Sequence, residues 1–254
     1  MPLHAVNTER DALLSMEQLR ATLRQVGEER YHHQHPFHLL MHEGKLSRGQ
    51  LQAWALNRYY YQSVIPTKDA IILSRSDDPE FRRAWRKRIV DHDGDSHSKS
   101  EDGGIKRWLK LAEATGLDAE RVASKSEILP ATRYAVNEYL NIVRTRPLLE
   151  AVASSLTELF SRDLITLRMD RLRQHYPWLA GGLDYFEARL EQAPEDAAFA
   201  FRYVHENAKT REEQTKAIEA LRDKCDILWA QLDALYFAYV NPGWPPPGAF
   251  RIES

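Results

Sequence analysis

Histidine is the first chemistry the chain offers. Five of its ten histidines fall between His32 and His42 (His32, His33, His35, His38 and His42). In a helix, His38 and His42 would share a face, and Glu29-x-x-His32 has the spacing of one carboxylate–histidine ligand pair of a di-iron bundle. Such a site needs two of these motifs plus further glutamates, and no second copy occurs. The cluster therefore reads as capping and hydrogen-bonding side chains, and no metal is assigned. Asp91, Asp93, Asp95, His97 and Asp102 imitate a calcium loop. Glycine stands at its fourth position instead of the sixth, however, and Asp102 stands where glutamate is required. Carboxylates at a helix C-terminus oppose the macrodipole, which suggests that they serve a neighbour, His92. A neutral imidazole takes up a proton near pH 7, and a flanking carboxylate can orient it and raise its basicity. His92 is the candidate general base.

Several polar pairs lie four apart on segments with helical patterning: Arg58 with Gln62, Arg88 with His92, and Tyr185 with Arg189. Each would project from one face, with Tyr61 beside the first pair. Lys224 interrupts an apolar helix between Leu221 and Leu228, where a lysine either snorkels or lines a cavity. Glu158 sits in Leu156–Phe160, also apolar, and needs a partner if buried. Singly these are ordinary rim contacts. Together they predict a cavity rich in Arg, Lys, Tyr and His, suited to a planar polyanion: arginine forks grip carboxylates and tyrosines pack on rings.

The elements that must position them are helical. Sustained period-two alternation and hairpin turns are missing. Ser15 with Gln18, Ser47 with Gln50 and Thr210 with Glu213 form capping-box patterns ahead of apolar stripes. Asp78-Pro79 should open a helix running to about His92, and another should run from about Glu101 to Thr115. Pro130 should open a helix through Tyr139 to Val143, and Pro147 a long one through Glu158 toward Arg173. Asp184 should start a short helix and Pro194 a separate one. Asn241-Pro242-Gly243 should end the last helix, leaving an extended Pro-rich tail (241–254). The expectation is a single all-α domain over 1–254, a bundle of about seven helices, nine at most, around a cavity. Residues 94–100 are the candidate mobile loop.

Composition narrows the function. The formal charge is −2, 43% of residues are hydrophobic and 28% charged. This excludes a disordered or collagen-like chain and a nucleic-acid binder that relies on overall positive charge. There is no dinucleotide glycine fingerprint, phosphate loop, nucleophile-elbow serine or zinc-type Cys pair. Cys225 is the only cysteine, so no intramolecular disulfide can form. The first fifteen residues lack the apolar run of a signal peptide, and nothing approaches a membrane span. The expectation is a cytoplasmic protein with no membrane or nucleic-acid partner.

Eight stretches resemble the pyrroloquinoline-quinone synthase family: YHHQHPFH (31–38), ALNRYYYQ (55–62), IPTKDA (65–70), KRIVDHDGD (87–95), SSLTELF (154–160), HYPWL (175–179), DYFEARL (184–190) and DILWAQLDAL (226–235). They keep their order over most of the chain. The resemblance implies a haem-oxygenase-like bundle and a homodimer. It implies an oxidoreductase with no metal or organic cofactor, O2 as co-substrate and hydrogen peroxide as a product. The reaction implied is ring closure and eight-electron oxidation of a tricarboxylate quinone precursor to pyrroloquinoline quinone. By motif, His92 looks like the principal acid/base group, Tyr185 and Arg189 like the pair that supports oxygen activation, and Lys224 like a further pocket cation. His32, Arg58, Tyr61, Gln62, Arg88, Tyr139, Glu158 and Arg168 look like substrate contacts.

One position departs from the family pattern. Ile165 stands where a histidine of the oxygen-binding core is expected, and isoleucine neither donates nor accepts a proton. That leaves open a diverged member that binds the quinone or its precursor, or carries out only part of the oxidation. Rival enzyme readings on a similar bundle, a thiaminase-like hydrolase or a di-metal oxygenase, are weakened by the lone Cys225 and the single Glu-x-x-His.

Overall fold

The computed structural model describes residues 12–95 and 102–252. Among them are eleven α-helices and no strand. These are α1 (Met16–Arg30), α2 (Pro36–His42), α3 (Arg48–Ser74), α4 (Pro79–Asp93), α5 (Gly104–Ala114), α6 (Ala119–Ser124), α7 (Pro130–Thr145), α8 (Leu148–Ala153), α9 (Ser161–His175), α10 (Asp184–Asn207) and α11 (Arg211–Tyr239). Short 3-10 turns at His32–Gln34, Leu156–Leu159 and Pro177–Gly182 join them.

Local rules explain most starts. Ser15, Ser47 and Thr210 form reciprocal capping boxes with Gln18, Gln50 and Glu213, each satisfying orphan backbone N–H groups. Asp78 caps α4 through the amide of Glu80, ahead of Pro79. The eleven helices exceed the nine at most expected, because short ones such as α2, α6 and α8 stand apart, and two expected boundaries fail. Pro194 does not begin a helix; it lies inside the 24-residue α10. The hydrogen bond it forfeits is outweighed there by burial of Ala193, Ala197, Ala200 and Phe201 on both sides of it. The long helix expected from Pro147 stops at Ala153 and resumes at Ser161. Between them Phe160 lies against Gly27, where a Cβ would come 2.6 Å from its ring. The break also turns Glu158 away from a helix face and toward the centre of the bundle. The expected loop 94–100 falls largely, and the start at Glu101 and His97 of the imitation calcium loop fall wholly, outside the described residues.

Apolar packing is divided into two clusters. One is centred on Trp54, Trp108, Leu172 and Phe186, the other on Leu23, Trp85, Val143 and Leu221. The tail beyond Gly243 is irregular but tethered. Phe250 is buried, its amide donates to the Glu127 carbonyl (3.0 Å), and Tyr239 Oη donates to its carbonyl (2.9 Å). No helix among the described residues is long and apolar enough to cross a membrane.

Candidate active site

A cavity with about 800 Å³ of atom-free space, its mouth included, opens in the middle of the bundle. Five helices and the 3-10 turns at His32–Gln34 and Leu156–Leu159 supply its polar lining. α3 contributes Arg58, Tyr61, Gln62 and Lys68, a polar stripe at helical spacing that faces inward instead of outward. α4 contributes Arg88 and His92, α7 Tyr139, α9 Arg168, and α10 Tyr185 and Arg189; the turns contribute His32 and Glu158. Eleven of the twelve residues singled out from the sequence therefore meet here.

The twelfth, Lys224, stands one layer behind. Its ammonium lies 3.3 Å from the ring centroid of Tyr139 and 4.2 Å from that of Tyr61, and these two rings are parallel within 8°. The side chain is fully buried, and Nζ has no hydrogen-bond partner. Burial, helped by the charges of Arg58 and Lys68, lowers its pKa well below that of an ordinary lysine.

Arg88 and Arg189 are already paired. Glu158 receives Arg88 Nη2 at 2.7 Å and Arg189 Nη2 at 3.0 Å. Asp196 lies 3.3 Å from Arg189 Nη1 and 3.5 Å from Arg88 Nη1. Arg88 Nε also reaches Asp69 at 3.3 Å. Burial would raise Glu158, but the two guanidiniums outweigh it and hold the carboxylate below its usual range. Burial and the charge of Glu158 push Asp196 up to about 6, against the pull of both arginines. The sequence reading missed Lys68, Asp69 and Asp196. Lys68 bonds the adjacent Asp69, and both are buried. A buried Lys-Asp dipeptide inside an otherwise apolar stretch was the available signal.

His92 is fixed in one tautomer. Its Nδ1 lies 3.0 Å from the Arg88 carbonyl oxygen, one turn back. A carbonyl only accepts, so Nδ1 carries the hydrogen and Nε2 keeps its lone pair. Burial, reinforced by the charge of Arg189, lowers its pKa to about 4, so the ring is neutral at pH 7. Tyr185 Oη donates to Gln62 Oε1 at 3.0 Å, which orients both beside Arg189 in the same wall. Among the other described histidines, His35 Nδ1 accepts the amide of Phe37 and caps α2. Ile165 is 9% exposed, part of the cavity wall and of the apolar cluster around Phe186.

Such an enclosure can bind a flat acidic molecule, withdraw a ring proton and shield the resulting carbanion from water. Comparison with known proteins points the same way. A model of the TENA/THI-4/PQQC family matches residues 20–234. The chain is 55% identical over 246 residues to a Granulibacter bethesdensis protein named pyrroloquinoline-quinone synthase, covering 96% of this chain and 95% of that one. It is 56% identical over 239 residues to a protein of the same name from Acidiphilium cryptum, covering 94% and 96%. Among solved structures, a domain of unknown function with a heme oxygenase-like fold from Shewanella denitrificans superposes with a TM-score of 0.75 at 16% identity. It covers 94% of this chain and 100% of that one. That likeness is one of fold.

Proposed function

This chain belongs to the TENA/THI-4/PQQC family, and from that premise we propose that it carries out the ring-closing oxidation that yields pyrroloquinoline quinone. The substrate is a tricarboxylate quinone precursor, the oxidant is O2, and hydrogen peroxide is a product. The reading needs neither metal nor organic cofactor.

One observation carries it: the charge balance of the cavity. Six cations stand in or directly behind it, namely Arg58, Lys68, Arg88, Arg168, Arg189 and Lys224. Three carboxylates answer them: Asp69, Glu158 and Asp196. Lys68, Arg88 and Arg189 are thereby matched. Among the described residues Arg58, Arg168 and Lys224 have no carboxylate partner, and Arg58 lies over the Tyr61 ring at 4.0 Å. Arg58 and Arg168 leave two unanswered positive charges in a buried space, and Lys224 supplies a third when an arriving carboxylate favours its charged form; this suits a ligand with three carboxylates, and the parallel Tyr61 and Tyr139 rings suit a flat one.

In this reading the unmatched cations hold the precursor, the paired Arg88 and Arg189 are pre-aimed by Glu158, and His92 Nε2 takes the ring proton. The electron-rich ring then passes electrons to O2 beside Tyr185 and Arg189. The names of the relatives favour the whole reaction over a binder or a partial oxidase, despite Ile165. A homodimer working in the cytoplasm completes the proposal on family grounds. The test is aerobic turnover of the precursor by purified, metal-free protein, followed by the growth of the product chromophore. No conversion, or conversion that depends on stoichiometric iron, would overturn the reading.

A further inference from the structure

The hydrogen bonds around His32 set it in the opposite sense to His92. His38 Nδ1 lies 2.9 Å from the backbone carbonyl oxygen of His32 and 3.2 Å from His32 Nδ1. The carbonyl cannot donate, so His38 Nδ1 carries the hydrogen and shares it between that oxygen and His32 Nδ1. His32 Nδ1 is then an acceptor, and the hydrogen of the neutral His32 ring is on Nε2. Arg168 reinforces the arrangement. Its Nη2 is 3.1 Å from His38 Nε2 and 3.2 Å from His38 Nδ1, nearly equidistant, which places the guanidinium over the ring face and not on its edge. A cation in that position disfavours a charged imidazole. Burial drives both rings well below the usual histidine pKa, with Arg168 adding to the effect.

The two cavity histidines are thus complementary: His92 presents a lone pair, His32 presents an N–H. They also answer to different charges. Arg189, Asp69 and Lys68 act on His92, whereas Arg168, Arg58 and Lys224 act on His32. Beside both His32 and His38 lies a second, smaller space. Its lining includes Thr132, Gln231 and Arg168, whose Oγ1, Oε1 and Nε have no protein partner. A hydroxyl, a carbonyl and an N–H together suit a hydroxylic guest of water size.

We propose that His32 is the proton donor of the oxidative steps and that His38 is the positioning residue that fixes its tautomer and refills it. The proposal rests on the function assigned above. In each two-electron step the precursor loses two electrons and two protons, and O2 gains two of each to become hydrogen peroxide. One substrate proton passes to His92 Nε2, and the other travels with the electrons to O2. One proton passes from His32 Nε2 to the reduced oxygen. As that proton leaves, the His38 Nδ1 hydrogen moves onto His32 Nδ1 and His38 takes one from the neighbouring space, so neither ring becomes an anion. Both rings then stand in the opposite tautomer and return to the first by exchange with the guest of that space before the next step. His92 returns its proton to solvent, so the ledger closes with no further reactant. This places an acid in the cavity although residue 165 is isoleucine.

The first measurement is nitrogen-15 NMR of imidazole-labelled protein without substrate. It should show hydrogen on Nε2 of His32 and on Nδ1 of both His38 and His92. Hydrogen on Nδ1 of His32 would overturn the proposal. The second uses His32→Gln, which keeps an N–H but transfers no proton, and His38→Asn, whose amide donates as Nδ1 does but relays nothing. In the wild type, aerobic conversion must first be seen; its absence would defeat the functional reading instead. Given conversion, each variant should bind the precursor within threefold of wild type and oxidise it at least tenfold more slowly in a single turnover at saturation. Wild-type oxidation rates in both variants, or a loss confined to affinity, would make His32 a contact only and defeat the proposal.

Discussion

The Lys224 ammonium stands 3.3 Å from the centroid of the Tyr139 ring, buried, with no carboxylate beside it. An amine buried this way, whether charged or kept from charging, costs stability that a methionine of similar length would not. Lys224→Met should therefore raise the melting temperature by a few degrees, about 2–4 °C for each kcal/mol recovered in a chain of this size. It should also weaken binding of a triacid by about 2 kcal/mol, the worth of a charge-assisted contact. Calorimetric melting and a binding titration read both. A lower melting temperature would show that the lysine is paired after all.

Triacid binding should also take up a proton. Burial holds Lys224 well below its ordinary pKa, and a carboxylate arriving in the cavity favours the charged form and raises it again. Above the free-state pKa, affinity should then fall as pH rises. Titration calorimetry in buffers of different ionisation enthalpy measures the uptake, and zero uptake across the range in which affinity falls would contradict it.

Glu158 holds two guanidiniums at once, at 2.7 and 3.0 Å. Glu158→Gln leaves both arginines short of a counter-charge, a change of the kind that costs about 3 kcal/mol when a buried pair is broken. Denaturant unfolding should show that loss, and turnover should collapse because Arg88 and Arg189 lose their common anchor. Unchanged stability would mean that solvent already screens the trio.

Stability should fall as the solution becomes mildly acidic. Burial lowers His32 and His38 well below 6.5 and His92 from 6.5 to about 4. Below pH 6.5 the unfolded chain binds protons that the folded chain refuses, so unfolding becomes easier as pH drops toward 4. Each unit of difference is worth about 1.4 kcal/mol, so His92 alone contributes about 3 kcal/mol across that window. Asp196, raised from 3.8 to about 6, works the other way over the lower part of the range, because there the folded state takes the proton first. Melting curves from pH 7 to 5 should show the net loss, and His92→Gln should flatten the slope. A melting temperature independent of pH would contradict the buried, neutral histidines.

Much of this site was legible from spacing. Arg58 with Gln62, Arg88 with His92, and Tyr185 with Arg189 each occupy one helix face, and the three capping boxes fix helix starts locally. What the spacing could not show is who neutralises whom. Arg88 meets Glu158 across seventy residues of chain and Asp69 across nineteen. His38 meets Arg168 across 130. Such pairings depend on how helices pack, and they decide which cations remain free for a ligand. Pro194 misled for a related reason: a proline is a local stop signal, but tertiary burial on both sides carried α10 through it.

Ile165 reads differently in the structure than in the sequence. It packs in the apolar cluster around Phe186, so Ile165→His would bury an imidazole among hydrocarbon and should cost about 1–3 kcal/mol. If His32 supplies the proton, this variant should oxidise the precursor no more than threefold faster than wild type. A large gain in single-turnover rate would show that the missing histidine limits the reaction.

The most direct measurement is a crystal structure of the protein with product bound. The ring system should lie in the cavity along Tyr61 and Tyr139, with carboxylates within hydrogen-bond distance of Arg58 and Arg168 and a ring carbon facing His92 Nε2. A ligand held at the surface, or carboxylates directed to Arg88 and Arg189 while Arg58 and Arg168 stay unoccupied, would contradict the charge balance on which the account stands.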